Sequence, residues 1–186
     1  ADLAACERLG VPVLRRPTGG GAVLQSADVL NYSLTAPRVP TLSTSVAFAF
    51  GVQLIVGALN RLGIDAEGRG VSDVVVGDRK ISGSALAMRW GGILLHGTLL
   101  CDLDLDLVEA CLRHPPGAPA YRARRLNRYF LTTLRAEGVV VAPREVETAL
   151  IASAERLRRR ASEAHAADEH RPSAGKTRCM VGNAGR

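Results

Sequence analysis

Short apolar runs alternate along the chain with longer segments of helical periodicity. The short runs are bounded by glycine, proline or polar residues, a pattern typical of strands. They predict strands at residues 11–14, 22–25, 29–34, 64–67, 73–76, 79–88 and 93–103. Gly77 and Asp78 supply a turn that joins the strands on either side of them into a hairpin.

Apolar residues spaced three or four positions apart predict helices between and after these strands. Ser43 or Thr44 can cap a long helix that runs to about Leu62 and ends at Gly63. The stripe that this helix would bury consists of Phe48, Val52, Ile55, Val56 and Leu59. The other expected helices are at residues 2–8, 105–112, 125–136 and 145–162, and a proline-rich loop is expected at 114–121.

The organisation along the chain is one folded domain followed by a polar tail. A chain of 186 residues can bury a sizeable core in one domain, which we place at residues 1–162. Residues 163–186 are polar and show no periodicity, so they are expected to be disordered.

Composition and cysteine usage exclude several classes of protein. The most apolar run, residues 46–59, is shorter than a membrane span, and no secretory signal is expected. The four cysteines lie too far apart for a zinc site or a dense disulfide framework, and no metal-ligand cluster is predicted. We therefore expect a reduced, cytoplasmic setting without a membrane partner.

The net charge of +6 comes almost entirely from arginine, since Lys80 and Lys176 are the only lysines. A basic surface can attract nucleic acid or an acidic protein. Aromatic residues that could stack on bases make up only 4% of the chain, and no helix-turn-helix pattern is present, so we expect no nucleic-acid partner. A preference for arginine on solvated faces explains the charge and makes Lys80 informative.

Three consecutive glycines, residues 19–21, directly follow Arg15-Arg16-Pro17-Thr18. Glycine lets backbone N–H groups approach a ligand closely, and successive N–H groups can form a concavity that binds anions. The arginines add planar donors suited to phosphate or carboxylate. The segment matches neither a dinucleotide fingerprint nor a Walker loop, and a plain hairpin between two strands is the alternative.

Two further segments follow in order: residues 72–85 (SDVVVGDRKISGSA) and residues 96–100 (HGTLL). With residues 15–24 (RRPTGGGAVL), they resemble the lipoate–protein ligase family of the biotin/lipoate ligase superfamily. That family carries Arg-Arg-x-Ser/Thr-Gly-Gly-Gly-Ala-Val, an Asp at a strand start, Gly-x-Lys-Ile-Ser-Gly-Ser-Ala and His-Gly-Thr/Ser-Leu-Leu. The resemblance covers residues from about 9 to about 133.

This resemblance implies an α/β (α+β) fold, with a mixed, largely antiparallel sheet packed with helices. It implies an enzyme that activates lipoate or octanoate with ATP and Mg²⁺ and transfers the acyl group to a lysine of an acceptor lipoyl domain. The family's usual domain has further strands before the first motif. We therefore expect residues 1–162 to be an N-terminally incomplete catalytic domain.

The resemblance also implies site residues. Lys80 matches the catalytic lysine, which contacts both the nucleotide and the acyl carbonyl. Asp73 matches a carboxylate near the adenylate or its Mg²⁺, while Ser72 stands where asparagine is common. The implied nucleotide contacts are Arg16, Gly19, Gly20, Gly21, Ala22, Val23, Leu24, Asp73 and Lys80. The implied substrate contacts are Arg16, Lys80, Ser82, Gly83 and His96. Strand alternation places Lys80, Ser82 and Ser84 on one face.

Two other functions stay open. An octanoyltransferase of the same fold would take the acyl group from acyl carrier protein through a cysteine thioester, without ATP, and would need a cysteine facing Lys80. The strand period places Cys101 on the face opposite His96, and Cys111 lies on an apolar helix, so both are expected in the core. The third function is a non-catalytic binding protein.

Overall fold

The helices and strands follow nearly the expected order, with several different boundaries. A computed structural model describes residues 1–39, 42–89, 91–114 and 117–169. The strands are β1 (Val29–Pro37), β2 (Glu67–Arg69), β3 (Asp73–Val76), β4 (Arg79–Arg89) and β5 (Gly92–Leu100). The helices are α1 (Leu3–Arg8), α2 (Thr44–Arg61), α3 (Leu105–Cys111), α4 (Asn127–Phe130) and α5 (Pro143–Glu169), with a 3₁₀ turn at Ala120–Arg122.

The strands form one sheet in the order β1-β5-β4-β3-β2. Every neighbouring pair is antiparallel. Gly77 turns β3 into β4 with a φ of +59°, a left-handed conformation that suits glycine. The expectation of a largely antiparallel sheet packed with helices is confirmed.

One face of the sheet, here called the core face, is covered by α2, and α5 packs on α2. Directly paired residues of antiparallel strands point to the same side, so Leu34 and Leu95 lie together on this face. The fit is close, because a Cβ on Gly51 of α2 would lie 2.7 Å from the Leu95 side chain. Within the predicted stripe, Ile55 and Leu59 are fully buried.

Helix α2 is long and apolar enough to cross a membrane by length and composition alone, contrary to the expectation that no segment reaches this length. Ser43 caps it, as predicted, by accepting a hydrogen bond from the Val46 amide. Its buried residues pack into the core with residues of β3, β4, β5 and α5. This packing identifies α2 as a core helix.

The opposite face, here called the site face, carries a row of four directly paired residues, one from each of four strands. The row is Asn31, Thr98, Gly83 and Asp73. His96 lies on the same face, two positions along β5 from Thr98.

A β-bulge between β3 and β4 changes the face that the expected site lysine takes. Val74 pairs with Ser82 and Val75 pairs with Lys80, so Ile81 is an extra residue in β4. An uninterrupted strand would place Lys80 and Ser82 on one side. The bulge breaks that alternation, and this is why the predicted face was wrong.

The strands predicted at residues 11–14 and 22–25 are absent from the described part of the chain. In that part, no backbone amide of residues 12–25 bonds to a neighbouring strand. The second segment is held instead by a side-chain contact, in which the amides of Gln25 and Asn31 exchange hydrogen bonds of 3.1 and 3.2 Å. An apolar pattern therefore occurs here without a strand partner.

The helix predicted at residues 125–136 is also wrong, because only α4 forms there. After α4 the backbone amides bond to strand ends: Thr132 donates to the Lys80 carbonyl and Leu134 to the Leu100 carbonyl. Thr132 is fully buried and its hydroxyl donates to Glu137. Tertiary partners thus replace the helical hydrogen bonds.

Two further boundaries move. The strand predicted at residues 64–67 is found at Glu67–Arg69. Helix α5 begins at Pro143 and continues to Glu169, so residues 163–169 of the predicted tail are helical. The remaining predicted tail, residues 170–186, lies outside the described residues.

Candidate active site

The conformation of the glycine loop, residues 18–21, is held by hydrogen bonds from the Arg16 side chain. Its guanidinium donates to the Thr18 hydroxyl through Nε (3.0 Å) and, through Nη2, to the carbonyls of Gly19 (2.6 Å) and Gly21 (2.8 Å). Gly20 has a φ of +94°, which favours glycine. The amides of Gly19 to Gly21 have no acceptor among the described residues, and such amides can bind an anion.

A side-chain hydrogen bond joins this loop to the site face. The Thr18 hydroxyl and His96 Nε2 are 2.5 Å apart. Partial burial and the charge of Arg16 lower the pKa of His96, so its imidazole is neutral at neutral pH. The loop therefore lies over β5. A loop that forms a binding site with the sheet must lie there, whereas a free hairpin would not need to contact the sheet.

The Lys80 side chain extends along its own strand, β4, on the same face. Its Nζ lies 2.7 Å from Oδ1 of Asp73, the residue that opens β3. A Cβ on Gly83 would lie 2.6 Å from that Nζ. Because Gly83 has no side chain, the end of the Lys80 side chain can lie directly over it. Any larger residue at this position would displace the ammonium.

The His96 side, which holds the glycine loop, and the Lys80 side of the site lie close together on the sheet. His96 pairs with Ala85, and Lys80 Nζ lies over Gly83, two residues away on β4. At about 3.4 Å per residue, Gly83 and Ala85 are roughly 7 Å apart along β4, and His96 lies one strand spacing of about 4.8 Å further across the sheet.

Asp73 is held by a residue that the sequence did not indicate. The Tyr121 hydroxyl donates a hydrogen bond of 2.6 Å to its Oδ2. Tyr121 lies in the loop before α4, which Arg125 ties to the β3–β4 turn by donating to the Asp78 carboxylate (2.6 Å) and carbonyl (2.9 Å). The proline-rich composition predicted a loop, but no motif marks Tyr121 within it.

The predicted site residues divide into those that meet on the site face and those that do not. Arg16, His96, Gly83, Asp73 and Lys80 are on it, with Gly19 to Gly21 above it. Ala22 and Val23 are exposed just after the loop, whereas the Leu24 side chain is buried, which leaves only its backbone for a ligand.

Ser82, an expected substrate contact, does not share the face of Lys80 as the strand alternation had predicted. It is 2% exposed and lies on the core face beside Val74 and Leu99. Ser84 is on the core face too, where the Ser82 and Ser84 hydroxyls flank the phenol of Tyr32, whose pKa is raised by burial. The bulge at Ile81 is the physical cause, because it reverses the alternation after Lys80.

The described cysteines lie away from Lys80. Cys101 is half-buried and packs against the core, as its strand position predicted, and burial raises the pKa of its thiol. Cys111 is fully buried, and its carbonyl accepts a weak bond from the Cys6 thiol. Cys179 lies outside the described residues.

The chain matches the family model of the lipoyl protein ligase A/B catalytic domain over residues 1–155. The chain belongs to this family. The match covers all three motif segments and the five-stranded sheet, so the resemblance inferred from the motifs is confirmed.

Three similar proteins show the range of names within the family. An octanoyltransferase LipM of Kyrpidia tusciae is 33% identical over an alignment of 174 positions that covers 80% of this chain and 64% of that protein. A bipartite lipoate protein ligase of Thermoplasma acidophilum, described with its E2 lipoyl domain, has a TM-score of 0.69, 30% identity, and coverage of 82% of this chain and 60% of its own. A lipoate-protein ligase A bound with ATP has a TM-score of 0.68, 31% identity, and coverage of 82% and 61%.

The chain thus spans less than two thirds of the length of each of these three proteins. Both ligases and octanoyltransferases occur among the family's members. Membership in the family therefore leaves the choice between the two reactions to the chemistry of the site.

Proposed function

We propose that this chain carries the acid-activating site of an ATP-dependent lipoate–protein ligase. It would activate lipoate or octanoate as an acyl-adenylate for transfer to a lysine of an acceptor lipoyl domain. The observation that carries the proposal is the convergence on one sheet face of Lys80 and a glycine loop with unpaired amides.

The chemistry needs donors for phosphate charge beside a bound carboxylate. A carboxylic acid does not acylate an amine unaided, because hydroxide is a poor leaving group, and adenylation replaces it with a better one. The amides of Gly19 to Gly21 can hold phosphate oxygens, since no acceptor for them is found among the described residues. Lys80 supplies a compact positive charge where negative charge develops.

Lys80 would exchange partners during the reaction. Before a ligand arrives, its ammonium is neutralised by Asp73 at 2.7 Å, and its side chain is 27% exposed. A phosphate and a carboxylate entering between Lys80 and His96 offer competing oxygens. The ammonium can turn to them, while Asp73 keeps its hydrogen bond from Tyr121.

The residues fit a nucleotide better than they fit a metal held by protein alone. The described residues contain no group of three or more side chains able to bind a metal ion. Asp73 is the nearest carboxylate to Lys80, and Tyr121 and Lys80 already bind its two oxygens. We therefore propose that Mg²⁺ enters with the ATP phosphates, as it commonly does in nucleotide sites.

The alternative is an octanoyltransferase that uses acyl carrier protein as the donor. The extended match to an octanoyltransferase LipM favours it. Against it, none of the three described cysteines lies beside Lys80, and Cys6 and Cys111 are buried. A thioester mechanism needs an accessible thiolate, so the described part of the chain favours the ligase.

The remaining expectations stay predictions. The acceptor is proposed to be a lipoyl domain, as in the ligase described with its E2 lipoyl domain. The cytoplasmic location rests on cysteine usage alone. The third function, a non-catalytic binding protein, loses its motivation because the family's members are named as enzymes.

ATP–pyrophosphate exchange tests the proposal. The protein should exchange label between pyrophosphate and ATP only when lipoate or octanoate is present. Incubation with octanoyl-acyl carrier protein, followed by mass spectrometry of the intact chain, tests the alternative. An octanoyl group on a cysteine together with absent exchange would replace the ligase with the transferase.

A further inference from the structure

The carboxylate of Asp73 is gripped on both oxygens. Lys80 Nζ lies 2.7 Å from Oδ1, and the Tyr121 hydroxyl donates to Oδ2 at 2.6 Å. The Asp73 side chain is 13% exposed, so water has little access to replace either partner. A carboxylate bound at both oxygens cannot rotate about its terminal torsion without losing one bond.

We propose that Tyr121 is a positioning residue, which fixes Asp73 and, through Asp73, the ammonium of Lys80. This inference rests on the proposed ligase function and deepens it. Among the described residues no hydrogen bond or ring contact joins Tyr121 to Lys80, so its effect on the reaction passes through the carboxylate.

The Tyr121 ring is held in place by its neighbours, so its hydroxyl is a fixed hydrogen-bond donor. Its centroid is 5.5 Å from that of Phe130, and the Arg69 guanidinium lies 5.4 Å from it. Arg125 donates to the Tyr121 carbonyl at 3.2 Å and also binds Asp78 in the turn that leads into β4. The loop that carries Tyr121 and the hairpin that carries Lys80 are therefore joined at two points.

The chemistry of the phenol suits this role. Partial burial and the neighbouring Asp73 raise the pKa of Tyr121, so the hydroxyl stays protonated and acts as a donor. When Lys80 turns toward a substrate, the carboxylate keeps one strong hydrogen bond. Asp73 then stays in place instead of following the lysine into the site, and Lys80 returns to the same partner after product leaves.

A double-mutant cycle tests this inference. Acid-dependent ATP–pyrophosphate exchange is measured for wild type, Tyr121→Phe, Asp73→Ala and the double variant. Because a hydrogen bond to a charged group is lost, we expect Tyr121→Phe to lower kcat about tenfold, or about 1.4 kcal/mol. In the Asp73→Ala background the same change should have an effect of about twofold or less, because the residue through which Tyr121 acts is gone.

The matched control is Tyr129→Phe, whose residue is 62% exposed and whose hydroxyl has no hydrogen-bond partner among the described residues. It should keep the wild-type rate. If Asp73→Ala abolishes exchange, the ATP affinities of the four proteins are measured by calorimetry instead. Tyr121→Phe should again have a smaller effect in the Asp73→Ala background than in wild type. Thermal melts of all variants show whether each one is folded.

Each outcome bears on one claim. Equal rates for wild type and Tyr121→Phe overturn the inference and leave the ligase function standing. A full tenfold loss that persists in the Asp73→Ala background also overturns it, since Tyr121 would then act independently. Absence of exchange in wild type with either acid is a failure of the proposed function instead.

Discussion

Gly83→Ala is the most informative single change at the site, because the end of the Lys80 side chain lies directly over this residue. An added Cβ would lie 2.6 Å from Nζ and 2.7 Å from Cε of Lys80, and 3.3 Å from Oδ1 of Asp73. Non-bonded heavy atoms are at their best separation near 3.5–4 Å, so the ammonium must move by about 1 Å. The 2.7 Å ion pair is then lost or stretched.

Gly83→Ala should lower the rate of the reaction and leave the stability of the fold nearly unchanged. A displacement of about 1 Å at a reacting group can lower the rate about 100-fold. The atoms in conflict are mostly the end of a flexible side chain, and the ion pair is partly exposed, so its loss should cost about 1 kcal/mol or less. We expect exchange to fall about 100-fold with a melting temperature close to that of wild type.

Two other glycines provide the controls for this experiment. Gly117 has no atom within 4 Å of an added Cβ, so Gly117→Ala should change neither rate nor melt. Gly97→Ala would meet the Tyr32 phenol and, at 2.8 Å, the Gly83 carbonyl, so it should lower the melting temperature. Activity of Gly83→Ala within about threefold of wild type would contradict the proposed path of Lys80, as would a melt as low as that of Gly97→Ala.

Three further predictions concern the loop, the thiols and the histidine. Gly20→Val should weaken ATP affinity by calorimetry, because the φ of +94° disfavours a β-branched residue; a lower melt with unchanged affinity would remove the loop from the site. Cys101→Ser and Cys111→Ser should each retain exchange, and loss of activity with an octanoyl thioester in wild type would contradict this. Since the pKa of His96 is lowered on folding, stability should be full above about pH 6.5 and fall as the pH drops toward the folded value. Melts of His96→Gln should lack this loss, and parallel pH curves for both proteins would refute it.

The long elements of the fold could be predicted from the sequence because their signals are local. The capping serine and terminal glycine of α2, and the turn between β3 and β4, depend on residues next to one another. The segments at residues 11–14 and 22–25 carry an equally good apolar pattern but have no strand beside them. Whether such a pattern becomes a strand depends on a partner that is distant in sequence.

The site was predictable wherever a motif fixed it and unpredictable wherever register decided. The motifs singled out Lys80, Asp73 and the glycine loop, and the structure places them at one face of the sheet. Ser82 was misplaced because a bulge at Ile81 leaves no recognisable mark in the sequence. Tyr121 was missed because its importance comes from a contact with Asp73, 48 positions earlier in the chain.

The most direct test of the central claim is acid-dependent ATP–pyrophosphate exchange by wild type beside Lys80→Ala and Lys80→Arg. Wild type should exchange with lipoate or octanoate and not without them. Both variants should lose exchange while keeping the wild-type melt, because neither alanine nor a planar guanidinium replaces the compact ammonium that Asp73 holds at 2.7 Å. Near-normal exchange by Lys80→Ala, or exchange that needs no acid, would contradict the assignment of this face as the acid-activating site.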